Sequence, residues 1–228
     1  MINFINSQKN TFLAITAMVV GVIFIDIHGL IVKYLGGEYS TIQLALFRNT
    51  FAIIPLILLL IYNKESSDLF KNLSKKFILF CFVRGSCFLA INILYYIAIN
   101  NMEFATASTL TFSSTFFIVI LSIFFLGDKV GIYRWSAVII GFIGVVMIMR
   151  PNSSIFSYYS ILPILVAFLW AVQVIVLKFI PDNFSTGKIQ FYSLFSSFLG
   201  SLVFIFFTTG HTYIETQSDF FILSLIGI

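Results

Sequence analysis

Long, uninterrupted apolar runs recur along this chain, and they limit what it can fold into more than any other feature. Stretches able to cross about 30 Å of hydrocarbon fall at Phe12–Tyr34, Ile42–Tyr62, Phe77–Ile99, Ala105–Leu126, Ile132–Met149, Tyr158–Phe179 and Ile189–Thr208. An eighth begins at Phe220 and stops with the sequence at Ile228. The runs are continuous and do not alternate, and an open strand in lipid would leave its backbone groups unpaired, so strands are excluded. The first run is too long for a signal-peptide core and has no small-residue cleavage site, so it is expected to stay in the mature protein.

Composition narrows the class further. The chain is 60% hydrophobic and 10% charged, against about 25% charged in an ordinary soluble domain. A water-soluble globule and a disordered chain are both excluded. Two cysteines cannot build a disulfide framework or a cysteine-rich zinc module. The net charge of +4 is carried mostly between apolar runs, which makes no nucleic-acid surface. The expectation is an all-α membrane protein with the lipid bilayer as its first partner. Its 29 phenylalanines come with many isoleucines, asparagines and lysines, the pattern AT-rich codons give. Most of them read as lipid-facing filler.

Basic residues set the orientation. With the N-terminus cytoplasmic, the inner segments hold Lys9, Lys64, Lys71, Lys75, Lys76, Lys129, Arg134, Lys178 and Lys188. The outer segments hold only Lys33 and Arg150. This bias predicts an N-terminus inside and, for a bacterial protein, the inner membrane.

The chain also repeats itself. A shift of 145 positions brings Lys33-Tyr34-Leu35 onto Lys178-Phe179-Ile180, Ser40-Thr41 onto Ser185-Thr186, Phe47 onto Tyr192 and His28 onto Gln173. Five spans precede the second copy, so it enters the membrane from the opposite side. Such inverted repeats build transporters whose site lies between the copies near the midplane. The expected units are residues 12–150, a complete copy of five transmembrane helices, and 157–228, an incomplete one. Ile228 corresponds to Val83, so the counterpart of residues 84–150 is absent. A clipped or frameshifted sequence and a natural short form that pairs with another chain both remain open, as does a homo-oligomer.

Charges inside spans are costly and mark functional candidates. Asp26 and Arg48 lie ~12 Å and ~9 Å from the outer ends of the first two spans. They are expected either to neutralise each other as an ion pair or to act together. In the second case Arg48 holds an anionic or zwitterionic substrate, and Asp26 is its counter-charge or a protonatable coupling group. Arg84, ~10 Å from the inner end of its span, either snorkels to the headgroups or contributes to the site. Lys33 and Lys178 read as span-end anchors, and His28 as a hydrogen-bonded packing residue. In the fourth span Ser108, Thr111, Thr115 and Ser122 share a helical face, which either packs against a neighbour or walls a cavity. Gly141 and Gly144 read as a close-packing surface. Asn92, Tyr95, Trp170, Gln173 and Tyr192 are further candidates to face a central site. The substrate-binding set is therefore Asp26, Arg48, Arg84, Tyr95, Thr111, Thr115, Trp170 and Gln173. No cofactor, metal or catalytic residue is expected. The chain has no glycine-rich phosphate loop, GxSxG, HExxH or CxxC, and no potassium-filter sequence. Cys81 and Cys87 read as small apolar side chains.

One linked pattern resembles a known family. Met102-Glu103-Phe104-Ala105-Thr106-Ala107-Ser108 is followed by Phe125-Leu126-Gly127-Asp128-Lys129, then Trp135, Gly141-Phe142-Ile143-Gly144-Val145 and Arg150-Pro151. With Leu46-Phe47-Arg48 and Val83-Arg84-Gly85, this resembles the EamA domain of the drug/metabolite transporter superfamily, and within it the S-adenosylmethionine transporter-like carriers. The resemblance implies a ten-helix carrier for small metabolites, driven by protons or by exchange, with its cavity between two repeats. The family commonly has proline in the fourth span, where this chain has Thr115, so no proline kink is expected there. It commonly has Gly-Glu after that span, where Gly127-Asp128 stands. The expected function is a secondary transporter of small polar or amphipathic metabolites working by alternating access. The rival is a non-transporting fragment or an assembly subunit.

Overall fold

A computed structural model describes residues 2–71, 73–149, 158–181, 183–208 and 217–227. Among these residues there are helices and turns but no strand. The helices are α1 (Ile2–Leu35), α2 (Thr41–Tyr62), α3 (Lys75–Asn101), α4 (Phe104–Thr111), α5 (Ser114–Leu126), α6 (Ile132–Met149), α7 (Ile161–Lys178), α8 (Thr186–Thr208) and α9 (Gln217–Gly227). Arg150, Pro151 and Asn72 lie outside the described residues.

Six helical segments are long and apolar enough to cross a membrane. The helix expected at Ile132–Met149 is present, but its apolar stretch, Ile132–Met147, spans only ~24 Å at the helical rise. α1 extends well back of its apolar run, through the polar residues that precede Phe12. α2 starts in a capping box: the Ser40 hydroxyl accepts from Gln43 N–H while the Gln43 side chain accepts from Ser40 N–H. Ser74 caps α3 in the simpler way, and Gly127 closes α5 at a φ of 69°, a left-handed conformation natural to glycine.

The fourth span corrects one expectation. It is not a single helix but two, α4 and α5, parted at Phe112–Ser113. Phe112 N–H donates to Thr109 O, Ser113 N–H to Leu110 O and Phe116 N–H to Ser113 O, the tighter three-residue spacing of a 3-10 turn. The Thr111 and Ser113 hydroxyls bond back to the carbonyls of Ser108 and Leu110. Such back-bonding bends helices, so the span is interrupted without a proline. The proposed common face of Ser108, Thr111, Thr115 and Ser122 is thereby split between two rods.

α3 is the hub, lying along both α7 and α8, while α2 packs on α8 and α9. α5 packs on α7, and α1 rests chiefly on α3, α9 and α4. Small residues permit the closest contacts. A β-carbon at Gly85 would collide with the Ser193 carbonyl and with Ser196, and one at Gly141 with the Phe116 ring. Gly144, expected to share that close-packing role, faces open space. Buried on α8, Ser193, Ser197 and Ser201 form a stripe of one residue every four. At its middle, Asn49 donates to the Ser197 hydroxyl at 3.0 Å, with both residues fully buried. One apolar cluster gathers Val32, Leu35, Leu44, Tyr96, Ile99 and Leu223. Another gathers Phe77, Cys81, Ile180 and Ile189. Phe124, Phe206 and Phe207 lie on the exterior, as filler would.

The connections meet in pairs. At one face Lys33 Nζ donates to Met102 O at 3.0 Å, tying the end of α1 to the α3–α4 turn, so Lys33 is more than an anchor. At the other, the α2–α3 and α7–α8 connections touch.

Candidate functional site

The polar side chains inside the bundle fall into two groups. The first lies among α1, α2, α3 and α4. Arg48 on α2 sets its guanidinium over the Phe88 ring of α3, with Cζ 4.5 Å from the ring centre. Phe88 and Asn92 are four residues apart and so share a face of α3. His28 Nε2 is 3.1 Å from the hydroxyl of Tyr96, which is fully buried. Arg48 acts electrostatically on both. The Tyr95 hydroxyl lies 2.9 Å from the Ser108 hydroxyl, and Thr111 Oγ1 donates to Ser108 O one turn on.

Several atoms here are orphaned. Arg48 Nη1, Asn92 Nδ2 and Asn49 Oδ1 are buried with no hydrogen-bond partner among the described residues. Two of the three are donors, and one belongs to a cation. A buried charge is stabilised by a counter-charge or by hydrogen bonds. The Arg48–Asp26 ion pair does not form: the ion pair found among the described residues is Lys71–Asp68. Asp26 is exposed on α1. The physical reason is that α1 lies chiefly on α3, α9 and α4 and α2 on α8 and α9. The two helices are consecutive in sequence without being packed side by side.

The second group lies where α3 meets α7 and α8. Arg84 does not snorkel. Its Nη1 donates to Gln190 Oε1 at 3.2 Å and to Ser193 Oγ at 3.4 Å. Gln173 Nε2 donates to the Arg84 carbonyl at 3.2 Å, and Arg84 Nε is buried without a partner among the described residues. Arg84 and Gln173 are thus joined, as are Tyr95 and Thr111 through Ser108. Trp170 is 41% exposed and Thr115 is exposed; both stand outside the two groups. Tyr192 points elsewhere, donating to Leu69 O.

Phe88, Gln190 and the α8 serine stripe were missed by the reading of the sequence. The four-residue recurrence of Ser193, Ser197 and Ser201 was the available signal for the last. No periodicity marks one phenylalanine among so many. Among the described residues no three His, Cys, Asp or Glu side chains gather as metal ligands would.

Known proteins resemble this arrangement in sequence. The S-adenosylmethionine uptake transporter of Rickettsia bellii is 26% identical over 161 residues, 71% of this chain and 54% of that protein. The riboflavin transporter of Rhizobium johnstonii is 38% identical over 66 residues, 29% of this chain and 22% of that one. The pseudopaline exporter of Pseudomonas aeruginosa is 26% identical over 165 residues, 72% of this chain and 56% of that protein. The chain spans about half the length of the curated relatives it matches over most of its own length. The model of the EamA-like transporter family matches residues 12–150, more than half of the chain and the stretch that contributes Arg48, Phe88 and Arg84, and the chain belongs to that family.

Proposed function

We propose that this chain forms a secondary carrier for small polar or amphipathic metabolites in the bacterial inner membrane, with its N-terminus cytoplasmic. Residues 12–150 make one five-helix repeat, and 157–228 begin an inverted second. Substrate enters and leaves as the two bundles rock around a central site. The observation that carries this reading is Arg48: a guanidinium inside a span, stacked on Phe88, with a buried nitrogen that has no partner among the described residues. A charge at that depth costs about 3 kcal/mol or more, and an anionic or acceptor-rich ligand offsets that cost. Asn92 supplies a second free donor on the same side of α3. Asp26, exposed on α1, is available as a proton-coupling carboxylate, and Tyr95 on α3 and Thr111 on α4, joined through Ser108, are further candidates to meet the substrate.

The relatives named for S-adenosylmethionine and riboflavin point to cargo with flat ring systems, which suits a site with the half-buried rings of Phe88 and Tyr95. S-adenosylmethionine also carries the carboxylate that Arg48 lacks, so it is the first substrate to try. The test is uptake into proteoliposomes of labelled S-adenosylmethionine and riboflavin, with and without a proton gradient. Saturable uptake that falls in Arg48→Ala supports the reading. Equal flux in both proteins removes Arg48 from the mechanism, and no uptake of any metabolite overturns the carrier assignment.

A further inference from the structure

We propose that Lys188 is the bolt of a gate closing the face where the α2–α3 and α7–α8 connections meet, an inference that rests on the carrier reading above.

Lys188 lies in the first turn of α8 and is only 6% exposed. No ion pair among the described residues includes it. Its ammonium donates instead to two main-chain carbonyls, Asp68 O at 2.9 Å and Lys71 O. Asp68 ends the short 3-10 turn Ser66–Asp68, and Lys71 follows it in the α2–α3 connection. The rings of Phe184 and Phe77 flank the ammonium at 5.3 and 5.8 Å. The cation is therefore held by one specific fold of the α2–α3 connection, and leaves its socket if that connection moves.

Companion links run the same way. Ser185 Oγ donates to Glu65 Oε2 at 2.7 Å, Tyr192 donates to Leu69 O at 3.2 Å, and Phe184 stacks on Phe77 at 4.1 Å between ring centres. Each joins residues 65–77 to residues 184–192, one proposed repeat to the other. On the opposite face, the polar links Lys33 to Met102 and Tyr95 to Ser108 stay within the first repeat. The polar links found here between the two proposed repeats gather around Lys188.

The seam is also releasable. At Gly85 the repeats meet through interlocked small residues that cannot part without opening a void. At Lys188 they meet through polar bonds beside a cavity of about 330 Å³ whose lining includes Lys64, Glu65, Asp68, Asn183 and Ser185. Water can take over the neutral bonds there at small net cost, which leaves the Lys188 ammonium bonds as the main hold. A carrier must close one face while the other is open, and a polar seam between the repeats, bordered by a cavity, meets that need at this face.

The test starts from a Cys81→Ala/Cys87→Ala background. Glu65→Cys with Ser185→Cys places two thiols across the seam. Bridging them with a short bis-methanethiosulfonate reagent is expected to stop uptake into vesicles and reduction to restore it; undiminished uptake by the bridged pair makes the seam a static staple and overturns the gate. A second measurement does not depend on transport. In the same background, Ile189→Cys, buried beside Lys188 against Phe77, is labelled with a membrane-impermeant maleimide applied to this face. Adding Lys188→Met is expected to speed labelling on the order of tenfold, the effect of one lost charged hydrogen bond. Equal rates overturn the proposal. Glu65→Gln/Ser185→Ala, which loosens the same rim while keeping Lys188, replaces Lys188→Met if that variant fails to insert. Where no substrate is taken up by the unmodified chain, the carrier reading falls and the labelling ratio alone decides whether Lys188 holds this face shut.

Discussion

Ser40 and Ser185, 145 positions apart, cap α2 and α8 alike: each hydroxyl accepts the main-chain N–H three residues on, from Gln43 at 3.3 Å and from Lys188 at 3.2 Å. Beyond the cap they differ. Gln43 folds back onto Ser40 N–H at 3.0 Å, whereas Lys188 reaches across to the α2–α3 connection and Ser185 donates to Glu65. Ser40→Ala is expected to cost about 1 kcal/mol, the usual effect of a lost cap. Ser185→Ala is expected to cost more, because it also removes the bond to Glu65. Thermal unfolding in detergent, compared side by side, checks the order; a smaller effect at Ser185 contradicts it.

At the Arg48 site the charge alone does not suffice. Arg48→Ala is expected to lower substrate affinity about tenfold or more, the loss of a charge-assisted hydrogen bond. Arg48→Lys is expected to recover little, because an ammonium lacks the planar face that stacks on Phe88 and the forked donors of a guanidinium. Phe88→Leu should weaken binding by a smaller factor, in keeping with about 0.5–1 kcal/mol for the stack. Binding measured by calorimetry or by the KM of uptake distinguishes these outcomes.

The His28–Tyr96 pair yields a double-mutant prediction. Tyr96 is fully buried, so His28→Leu strands its hydroxyl at a cost of about 1–3 kcal/mol. Removing both polar partners, as His28→Leu/Tyr96→Phe, is expected to recover part of that loss. Chemical denaturation of the single and double variants measures the coupling, and strictly additive losses would show that the two do not interact.

Glycine substitutions test the packing. Gly85→Ala is expected to destabilise by about 1–3 kcal/mol, because the added methyl meets backbone and side chain of α8 and one of the helices must shift. Gly144→Ala, with open space around it, is expected to be neutral or slightly stabilising through helix propensity. Melting temperatures of the two variants should move in opposite directions or differ clearly in size.

Topology has its own check. Reporter tags after Ser67 and after Asn183 are expected on the same side of the membrane, since Glu65 bonds Ser185 and Asp68 bonds Lys188. The charge bias predicts a cytoplasmic location for both tags. Tags reading on opposite sides would refute both the contact and the threading.

Helix positions were largely legible because hydrocarbon thickness imposes a length that apolar runs reveal directly. α2 begins one residue before the expected Ile42 and ends at the expected Tyr62, and α6 has the expected bounds. The break at Phe112–Ser113 was not legible from apolarity, since two short rods in line read like one. The depths of Asp26 and Arg48 were estimated from residue counts, but depth says nothing of rotation about the helix axis or of which helices are neighbours, and those decide whether charges meet. Arg84 failed as a snorkelling residue for a related reason. Its partners Gln190 and Ser193 lie more than a hundred positions away, and only the packing of α3 on α8 brings them within reach. Phe88 was hidden by abundance.

The bond between Asn49 and Ser197 sets a mechanical limit on any such cycle. It fastens α2 to α8, the two helices that correspond under the internal shift, and it is shut away from water that could take over its role. Cutting it strands a polar atom where no solvent can stand in for the lost partner, so α2 and α8 are held at mid-bundle more stubbornly than at their wetted ends.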